Sequence, residues 1–173
     1  MPAPPLDTPR LLLRAHRHED FAEIVEMWAD PAVTRFIGGR PFTAEESWQK
    51  LLRQVGHWEL LGFGYWVVRE RSSGRFVGEV GFADLRRELE PPLGDAPEMG
   101  WVLAPWSHGR GYATEAVLAA LGWGAKAWGP RRTVCIIDPR NDASLRVAAR
   151  ADFREFARTT YHGDATVLLE RQG

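Results

Sequence analysis

Residues 98–127 read EMGWVLAPWSHGRGYATEAVLAALGWGAKA and constrain the fold more than any other part of the chain. The apolar run 99–103 predicts a strand. Pro105 ends it, because proline lacks the N–H that a sheet ladder requires. Residues 108–113 form a glycine-bearing loop. A helix is predicted from the region 111–114 to about Ala127, since its apolar residues recur three and four positions apart.

A glycine-bearing loop that leads into a helix predicts an anion site. The first N–H groups of a helix have no internal partner, and they lie at the positive end of the helix dipole. Gly109 and Gly111 permit a close approach of the backbone to a ligand, and Arg110 offers a charge-assisted contact. The expected ligand group is a phosphate or pyrophosphate. A tight loop that merely begins a helix is the alternative interpretation of the same spacing.

Two other phosphate-binding loops do not match. The P-loop requires Gly-Lys-Ser or Gly-Lys-Thr, and neither tripeptide occurs in the chain. The dinucleotide fingerprint requires G-x-G-x-x-G, but Thr114 stands at the position of its third glycine.

The loop residues resemble the acetyl-CoA loop of the GNAT N-acetyltransferases, [Gln/Arg]-x-x-Gly-x-[Gly/Ala]. The longer pattern E-x-G-W-x-L-x-P-x-x-x-G-x-G-Y-A-T-E-A resembles the branch that holds the ribosomal-protein-alanine acetyltransferases. His108 departs from the pattern, which usually has Gln or Arg there. The resemblance implies that acetyl-CoA is the cosubstrate. It is expected to lie against His108, Gly109, Arg110, Gly111, Tyr112, Ala113 and Thr114.

The resemblance also implies an α/β (α+β) fold. The expected architecture is a mixed, mostly antiparallel sheet of six to seven strands, flanked by about four helices around a central β-α-β unit. The apolar, β-branched run 132–137 predicts the second strand of that unit, buried on both faces. In the resembled family the two strands splay apart and the pantetheine arm enters the gap. That implies contacts with Val102, Leu103 and Ala104.

A second signature follows at Asn141-Asp142-Ala143-Ser144 and, further on, Asp152-Phe153. It resembles the family pattern Asn-x-x-[Ser/Ala] followed by a helix and Gly-Phe, with Asp152 at the glycine position. The resemblance implies that Asn141 hydrogen-bonds the cofactor arm, although a plain helix cap is the alternative. Many relatives place a proton-donating tyrosine where this chain has Ala148, so the resemblance implies Ser144 as the donor to the leaving thiolate.

Acetyl transfer to an amine requires the neutral amine, and therefore a base. The pKa of a free α-amine is about 8 and that of a lysine about 10.4, so an α-amine needs less help. Glu98 is the predicted base, and the alternatives are a solvated glutamate or one that holds a structural arginine. Glu79 is the second candidate, ahead of Asp84 and His162. A backbone N–H near Leu103 is expected to polarise the thioester carbonyl.

The amino-terminal half predicts a wall of helices. Thr43 and Glu46 form a capping box that opens a helix to about Leu60. The residues expected to face inward are Trp48, Leu51, Leu52, Val55 and Trp58. The resemblance implies that this helix and a helix over 21–29 form one wall of the acceptor cleft. The polar loop 86–97 is either a specificity loop or a disordered connection.

The length of 173 residues and the ordinary charge balance predict one domain over 1–173, with residues 1–8 loose. A net charge of −1 does not favour nucleic acid as a partner. The sequence contains no apolar run of membrane-spanning length and no signal-peptide pattern, so we expect no membrane partner. We also expect no metal. The single Cys135 fits a reducing cytoplasm. The resemblance is compatible with a monomer or a homodimer.

Two functions remain open at this point. The first is acetyl-CoA-dependent N-acetylation of a primary amine, by direct attack in a ternary complex. Its acceptor would be a protein N-terminus or a small-molecule amine. The second is a non-catalytic acyl-CoA-binding regulatory domain, which the missing tyrosine at Ala148 and the open question of the base favour.

Overall fold

The computed structural model describes residues 2–173 and builds them around an eight-stranded sheet. The strand order is β1-β2-β3-β4-β5-β6-β8-β7. The strands are β1 (Leu6–Asp7), β2 (Leu11–Arg14), β3 (Tyr65–Glu70), β4 (Phe76–Ala83), β5 (Glu98–Leu103), β6 (Thr133–Ile137), β7 (Arg154–Tyr161) and β8 (Asp164–Arg171). Only the β5–β6 pair is parallel. The predicted mixed, mostly antiparallel sheet is confirmed, with more strands than expected.

Helices cover both faces of this sheet. The described chain has five α-helices: α1 (Phe21–Trp28), α2 (Pro31–Thr34), α3 (Ala44–Leu61), α4 (Tyr112–Trp128) and α5 (Asp142–Arg150). Residues of α1, α2 and α3 pack into one apolar cluster, whereas α4 and α5 contribute to another. The core under α4 contains edge-to-face tryptophans, with the rings of Trp58 and Trp66 4.8 Å apart. None of these helices is long and apolar enough to cross a membrane.

The β5-α4-β6 unit is the element that the sequence predicts best. Strand, loop, helix and strand all form where expected. β5 and β6 share a single register pair, Glu98 with Val134, so the two strands separate toward the Leu103 end of β5. Along its other edge, β5 pairs with β4 from Glu98 to Leu103. The unit therefore contains a gap between parallel strands.

The first residues are not loose, which corrects the expectation for 1–8 over the described part. Leu6 and Asp7 form β1 and pair with β2. Trp66 Nε1 donates a hydrogen bond of 2.8 Å to the Pro4 carbonyl, and Ala3 is buried. A buried tryptophan from β3 anchors this segment, a contact that a local sequence pattern does not contain. Met1 lies outside the described residues.

Helix α3 begins at the predicted capping box. Thr43 Oγ1 accepts from the Glu46 N–H at 3.1 Å, and a Glu46 carboxylate oxygen accepts from the Thr43 N–H at 2.8 Å. The predicted inward face is wrong in part, because Leu52 is 51% and Val55 45% exposed. The buried stripe is rotated and mixes polar with apolar residues: Ser47, Leu51, Gln54, His57 and Trp58.

A buried ionic cluster joins β2 and β3 to the start of α1. The Asp20 carboxylate accepts hydrogen bonds from Arg14 at 2.6 and 2.8 Å and from Arg69 at 2.7 Å. Burial alone would raise the pKa of Asp20. The bonds from Arg14, Arg69 and the Arg17 N–H outweigh burial and lower this pKa to about 2.

The departure at Asp152 from the resembled pattern has a local explanation. Asp152 has φ of +64° in the turn after α5, a left-handed conformation that glycine adopts most easily. That accounts for the usual glycine at this place.

The loop 84–97 is ordered, since Leu89 and Leu93 are buried against β6 and β8.

Candidate active site

A cavity of about 500 Å³ lies on the α1–α3 side of the sheet, with β5 as part of its floor. Among the predicted site residues, Glu98, Val102, Asn141 and Ser144 line this cavity. The loop 108–114 does not line it. The structure therefore separates the predicted residues into a cavity at β5 and α5 and a loop at the start of α4.

The loop provides a row of unpaired backbone donors. Gly109 and Gly111 have φ of +73° and +77°, so both occupy the left-handed region. Within residues 2–173, the N–H groups of residues 109–114 meet no acceptor. Residues 109–111 are exposed, so these N–H groups are open to solvent or to a ligand. The first N–H groups of a helix have no internal partner, and these lie at the positive end of a long helix. The loop fits a phosphate or pyrophosphate group.

Arg10 holds the loop in place from the start of β2. Its Nη1 donates to the Arg110 carbonyl at 2.8 Å, and its Nε donates to Glu115 at 2.7 Å. Thr8 Oγ1 donates to the same Glu115 carboxylate at 2.7 Å. Sequence analysis missed Arg10 and Thr8. Both lie far from the loop along the chain, and no local pattern marks them.

The side chains of the predicted loop residues differ in what they offer a ligand. The Tyr112 ring is buried, and its hydroxyl donates to Glu70 at 2.5 Å. The Thr114 hydroxyl is buried without a partner in the described residues. His108 Nε2 donates to the Leu103 carbonyl at 2.9 Å, so the residue that departs from the usual Gln or Arg ties the loop to the end of β5. Tyr112 and Thr114 thus offer backbone N–H groups toward a ligand.

The free edge of β5 faces the gap toward β6. The Ala104 N–H donates to the Val77 carbonyl on the β4 side at 2.8 Å. Hydrogen-bonding directions alternate along a strand, so the Leu103 N–H points away from β4. The Leu103 N–H is therefore a free donor on the edge where an extended chain could add to the sheet, whereas the Leu103 carbonyl already accepts from His108.

Asn141 acts as the cap of α5. Its Oδ1 accepts from the Ser144 N–H at 3.1 Å, which is the alternative that sequence analysis left open. Its side-chain NH₂ has no partner within residues 2–173, so a contact with the cofactor arm stays a prediction. Ser144 is half-buried and lines the cavity.

Glu98 is buried at the start of β5 and holds an arginine. Arg87 Nε and Nη2 donate to its two oxygens at 2.6 and 2.8 Å. This is the structural arginine that sequence analysis named as an alternative to a base. A carboxylate has about four lone-pair sites, so a water or an amine can still donate to Glu98. Its role as base stays a prediction.

Glu79 is an anchor inside the fold. It is 1% exposed, does not line the cavity, and accepts hydrogen bonds from His16 at 2.6 Å and Trp28 at 2.8 Å. Burial opposes its charge, but the bond and charge of His16 hold the pKa of Glu79 below its usual range. Asp84 pairs with Arg86 at 2.9 Å. His162 lies in the β7–β8 turn and lines the cavity.

Tyr65 is a site residue that sequence analysis missed. Its ring crosses from β3 to β5, and its hydroxyl lies 1.8 Å from the position that a Cβ on Gly100 would take. A Cβ at position 100 would force the Tyr65 ring to move. Burial first, and then the nearby carboxylates of Glu98 and Glu79, raise the pKa of this phenol. A glycine inside a strand signals such a close approach, so Gly100 was the available clue.

The described residues were also compared with the requirements of a metal site. In the portion of the chain from residue 2 to residue 173, no group of three or more His, Cys, Asp or Glu side chains is placed to hold a metal ion.

Comparisons with known proteins agree with this geometry. The sequence profile described as acetyltransferase (GNAT) domain matches residues 10–154. A solved putative GNAT-family acetyltransferase from Bordetella pertussis is 32% identical, with a TM-score of 0.86 over 98% of this chain and 99% of that one. An uncharacterized N-acetyltransferase, p20 of Bacillus licheniformis, is 24% identical over 87% of this chain and 82% of its own.

The fold likeness extends to the branch that the loop resembles. RimL, a ribosomal L7/L12 alpha-N-protein acetyltransferase solved in complex with coenzyme A, has a TM-score of 0.80 over 98% of each chain at 18% identity. At that identity the likeness concerns the fold alone. Together with the profile match over most of the chain, these findings show that the protein belongs to the GNAT family and is an acetyltransferase.

Proposed function

We propose that this protein transfers the acetyl group of acetyl-CoA to a primary amine, by direct attack in a ternary complex. The observation that carries the proposal is the row of N–H groups at residues 109–114, which find no acceptor in the described chain. The gap between β5 and β6 opens toward the end of β5 that leads into this loop. The proposal assigns the phosphate end of the cofactor to the loop and its arm to the edge of β5.

The loop is proposed to bind the pyrophosphate through backbone N–H groups, with the exposed Arg110 adding charge. The strand edge at Val102, Leu103 and Ala104 is proposed to pair with the pantetheine arm, and the free NH₂ of Asn141 to donate to it. When bound, acetyl-CoA supplies the acetyl thioester. Residues of this chain position that thioester at the cavity.

The chemistry requires three tasks of the cavity residues. Glu98, directly or through water, accepts a proton from the ammonium form of the acceptor. The Leu103 N–H donates to the carbonyl oxygen where negative charge develops. Ser144 is proposed to return a proton to the thiolate, and it lies at the start of α5 on the cavity wall. Tyr65 offers a second hydroxyl on the same cavity.

The acceptor is proposed to be a protein N-terminus or a small-molecule amine. The ribosomal acetyltransferase with the same fold supports the first class by analogy. We place the reaction in the cytoplasm, in line with the single buried Cys135. One domain over 1–173, acting as a monomer or a homodimer, suffices for this reaction.

The test is release of the CoA thiol from acetyl-CoA in the presence of a panel of primary amines, with the acetylated product identified by mass. We expect amine-dependent thiol release. Binding of CoA without thiol release on any amine would support the non-catalytic binding domain instead. Turnover by a Ser144→Ala variant at the parental rate would assign the protonation of the thiolate to another group.

A further inference from the structure

The cavity wall carries an excess of positive charge. Its lining contains the cations Arg35, Lys50, Arg53, Arg87 and Arg140 and the carboxylates Glu98, Asp138 and Asp164. Two of the carboxylates already accept bidentate hydrogen bonds, Glu98 from Arg87 and Asp138 from Arg140. In the described chain, Arg35 and Arg53 form no ion pair with a carboxylate, whereas Lys50 interacts electrostatically with the buried Glu79 carboxylate. The overall net charge of −1 gives no sign of this local excess.

Helix α3 contributes Lys50, Arg53 and Gln54 to this wall, which we call the α3 wall. Positions three and four residues apart share one helix face. Gln54 lines the cavity, and its side-chain amide has no hydrogen-bond partner within residues 2–173. The amide atoms are not sealed from solvent, so they are open to the cavity. The NH₂ group can therefore donate to a group bound there.

Lys50 is a cation held at the edge of the cavity. Its Nζ lies 4.1 Å from the centre of the Trp28 ring and 5.6 Å from that of Phe42. Burial lowers the pKa of Lys50 to about 8, so the amine still carries a proton in most molecules at neutral pH. The aromatic rings favour that charge, and they fix the position of the amine.

The α3 wall is too far from the phosphate loop to serve the phosphates. His57 lies one turn beyond Arg53, and its Nε2 is 3.3 Å from the Asp84 carbonyl oxygen. Asp84 follows Ala83, which pairs with Glu98 at the start of β5. The loop 108–114 leaves from the opposite end of β5, and a strand of this length spans about 20 Å. The α3 wall thus lies near the Glu98 end of β5, where the proposed base is.

We propose that the α3 wall binds a carboxylate of the acceptor, so that the substrate is an amine that also carries a carboxylate near the nitrogen. The inference rests on the proposed N-acetyltransferase function. Lys50, Arg53 and the Gln54 amide supply hydrogen-bond donors, and two of them supply charge. A free amino acid and a peptide with an acidic first residue share this chemistry. A polyamine meets like charge at the same wall.

The test compares matched acceptors in the thiol-release assay. Each free L-amino acid is paired with its carboxamide. Aspartyl- and glutamyl-peptides, each with asparaginyl- and glutaminyl- counterparts, form the second arm, and spermidine the third. We expect kcat/KM for the best carboxylate-bearing acceptor to exceed that of its uncharged counterpart by about tenfold to a hundredfold, the range for a hydrogen bond to a charged group. The first two arms distinguish the free amino acid from the peptide.

Variants connect this selectivity to the α3 wall. Arg53 is exposed on a helix surface, so Arg53→Gln should fold normally and reduce the carboxylate-to-amide ratio by about tenfold. Arg53→Glu should reduce it further and improve turnover of spermidine. Lys126→Gln, an exposed cation of α4 that does not line the cavity, is the matched control and should leave the ratio unchanged.

The same acceptors are also tested without turnover, as the rise in melting temperature that they cause in the presence of CoA. Carboxylates should raise it more than carboxamides. Equal kcat/KM and equal melting shifts for the members of each pair would overturn the inference while leaving acetyl transfer intact. Thiol release from no amine would count against the proposed function alone, because the melting shifts still decide whether the cavity binds a carboxylate.

Discussion

Gly111→Glu should abolish cofactor binding for a reason that can be separated from its effect on folding. Gly111 has φ of +77° and ψ of 6° at the start of α4. Gly62 has nearly the same conformation, φ of 72° and ψ of 12°, at the end of α3. A Cβ meets only Arg10 Nη2, at 3.5 Å, on Gly111 and nothing within 4 Å on Gly62. Gly62→Glu is therefore a matched control for the backbone effect.

The expected magnitudes follow from this pairing. A non-glycine residue in the left-handed region costs about 1–2 kcal/mol. Either variant should therefore melt about 2–8 °C lower than the parent, at about 2–4 °C per kcal/mol for a chain of this size. A carboxylate about 4 Å from a phosphate charge, near a protein surface, costs about 4 kcal/mol. Gly111→Glu alone should therefore weaken CoA binding by at least about a hundredfold.

The assay is thermal melting with CoA, acetyl-CoA and, as a control ligand, NADH. At a ligand concentration about 100 times Kd, binding stabilises the fold by about 2.7 kcal/mol. The parent and Gly62→Glu should each gain about 5–11 °C with CoA or acetyl-CoA. A hundredfold loss of affinity leaves about 0.4 kcal/mol, so Gly111→Glu should gain about 1–2 °C. NADH should shift none of the three.

An undiminished shift of Gly111→Glu with CoA would refute the phosphate site at residues 109–114. Loss of the shift in both variants would show that lowered stability of the fold, rather than a charge at the loop, impairs binding. Gly111→Gln separates bulk from charge, because it should retain more of the shift than Gly111→Glu.

The remaining predictions concern the base, the buried ionic cluster and the strand glycine. If Glu98 is the base, Glu98→Gln should lower kcat/KM for amine-dependent thiol release by about 10²–10⁴-fold, the usual contribution of a general base. Because the folded pKa of Asp20 lies at about 2, below its ordinary 3.8, its charge stabilises the fold above about pH 4, and this stability is lost as pH falls toward 2. The parent should therefore have an unfolding free energy about 2 kcal/mol higher than that of Asp20→Asn in urea at pH 6. This difference should shrink below pH 4. Gly100→Ala, whose Cβ would lie 1.8 Å from the Tyr65 hydroxyl and 3.0 Å from Cζ, should cost about 1–3 kcal/mol of unfolding free energy, and Tyr65→Phe in the same chain should restore part of it.

Each of these predictions has an outcome that contradicts it. Parental kcat/KM in Glu98→Gln would leave Glu98 only the task of holding Arg87. A stability difference for Asp20→Asn that is constant from pH 6 to pH 2 would contradict the lowered pKa. Additive effects in the Gly100 and Tyr65 double-mutant cycle would show that the hydroxyl does not occupy the space above Gly100.

The sequence by itself determined the β5-α4-β6 unit and its anion loop. Helix periodicity, a strand-ending proline and two loop glycines act over a few residues, so they can be recognised without the fold. The two loop glycines, Gly109 and Gly111, adopt a left-handed φ, which is the physical reason for glycine at these positions. The resemblance of these local residues to a known family predicted an acetyltransferase, and it also predicted the mixed sheet.

Only the tertiary structure decided what surrounds those elements. The pairing of Glu98 with Arg87, the Tyr65 hydroxyl above Gly100 and the support of the loop by Arg10 depend on strand register and on side chains that meet across the sheet. The face that α3 buries depends on its packing partners. Two overlapping stripes have helical spacing, and the apolar pattern selected Leu52 and Val55 where the fold buries Ser47 and Gln54. The place of Lys50, Arg53 and Gln54 on the α3 wall follows from that rotation, because the packing of the helix decides which of its side chains line the cavity.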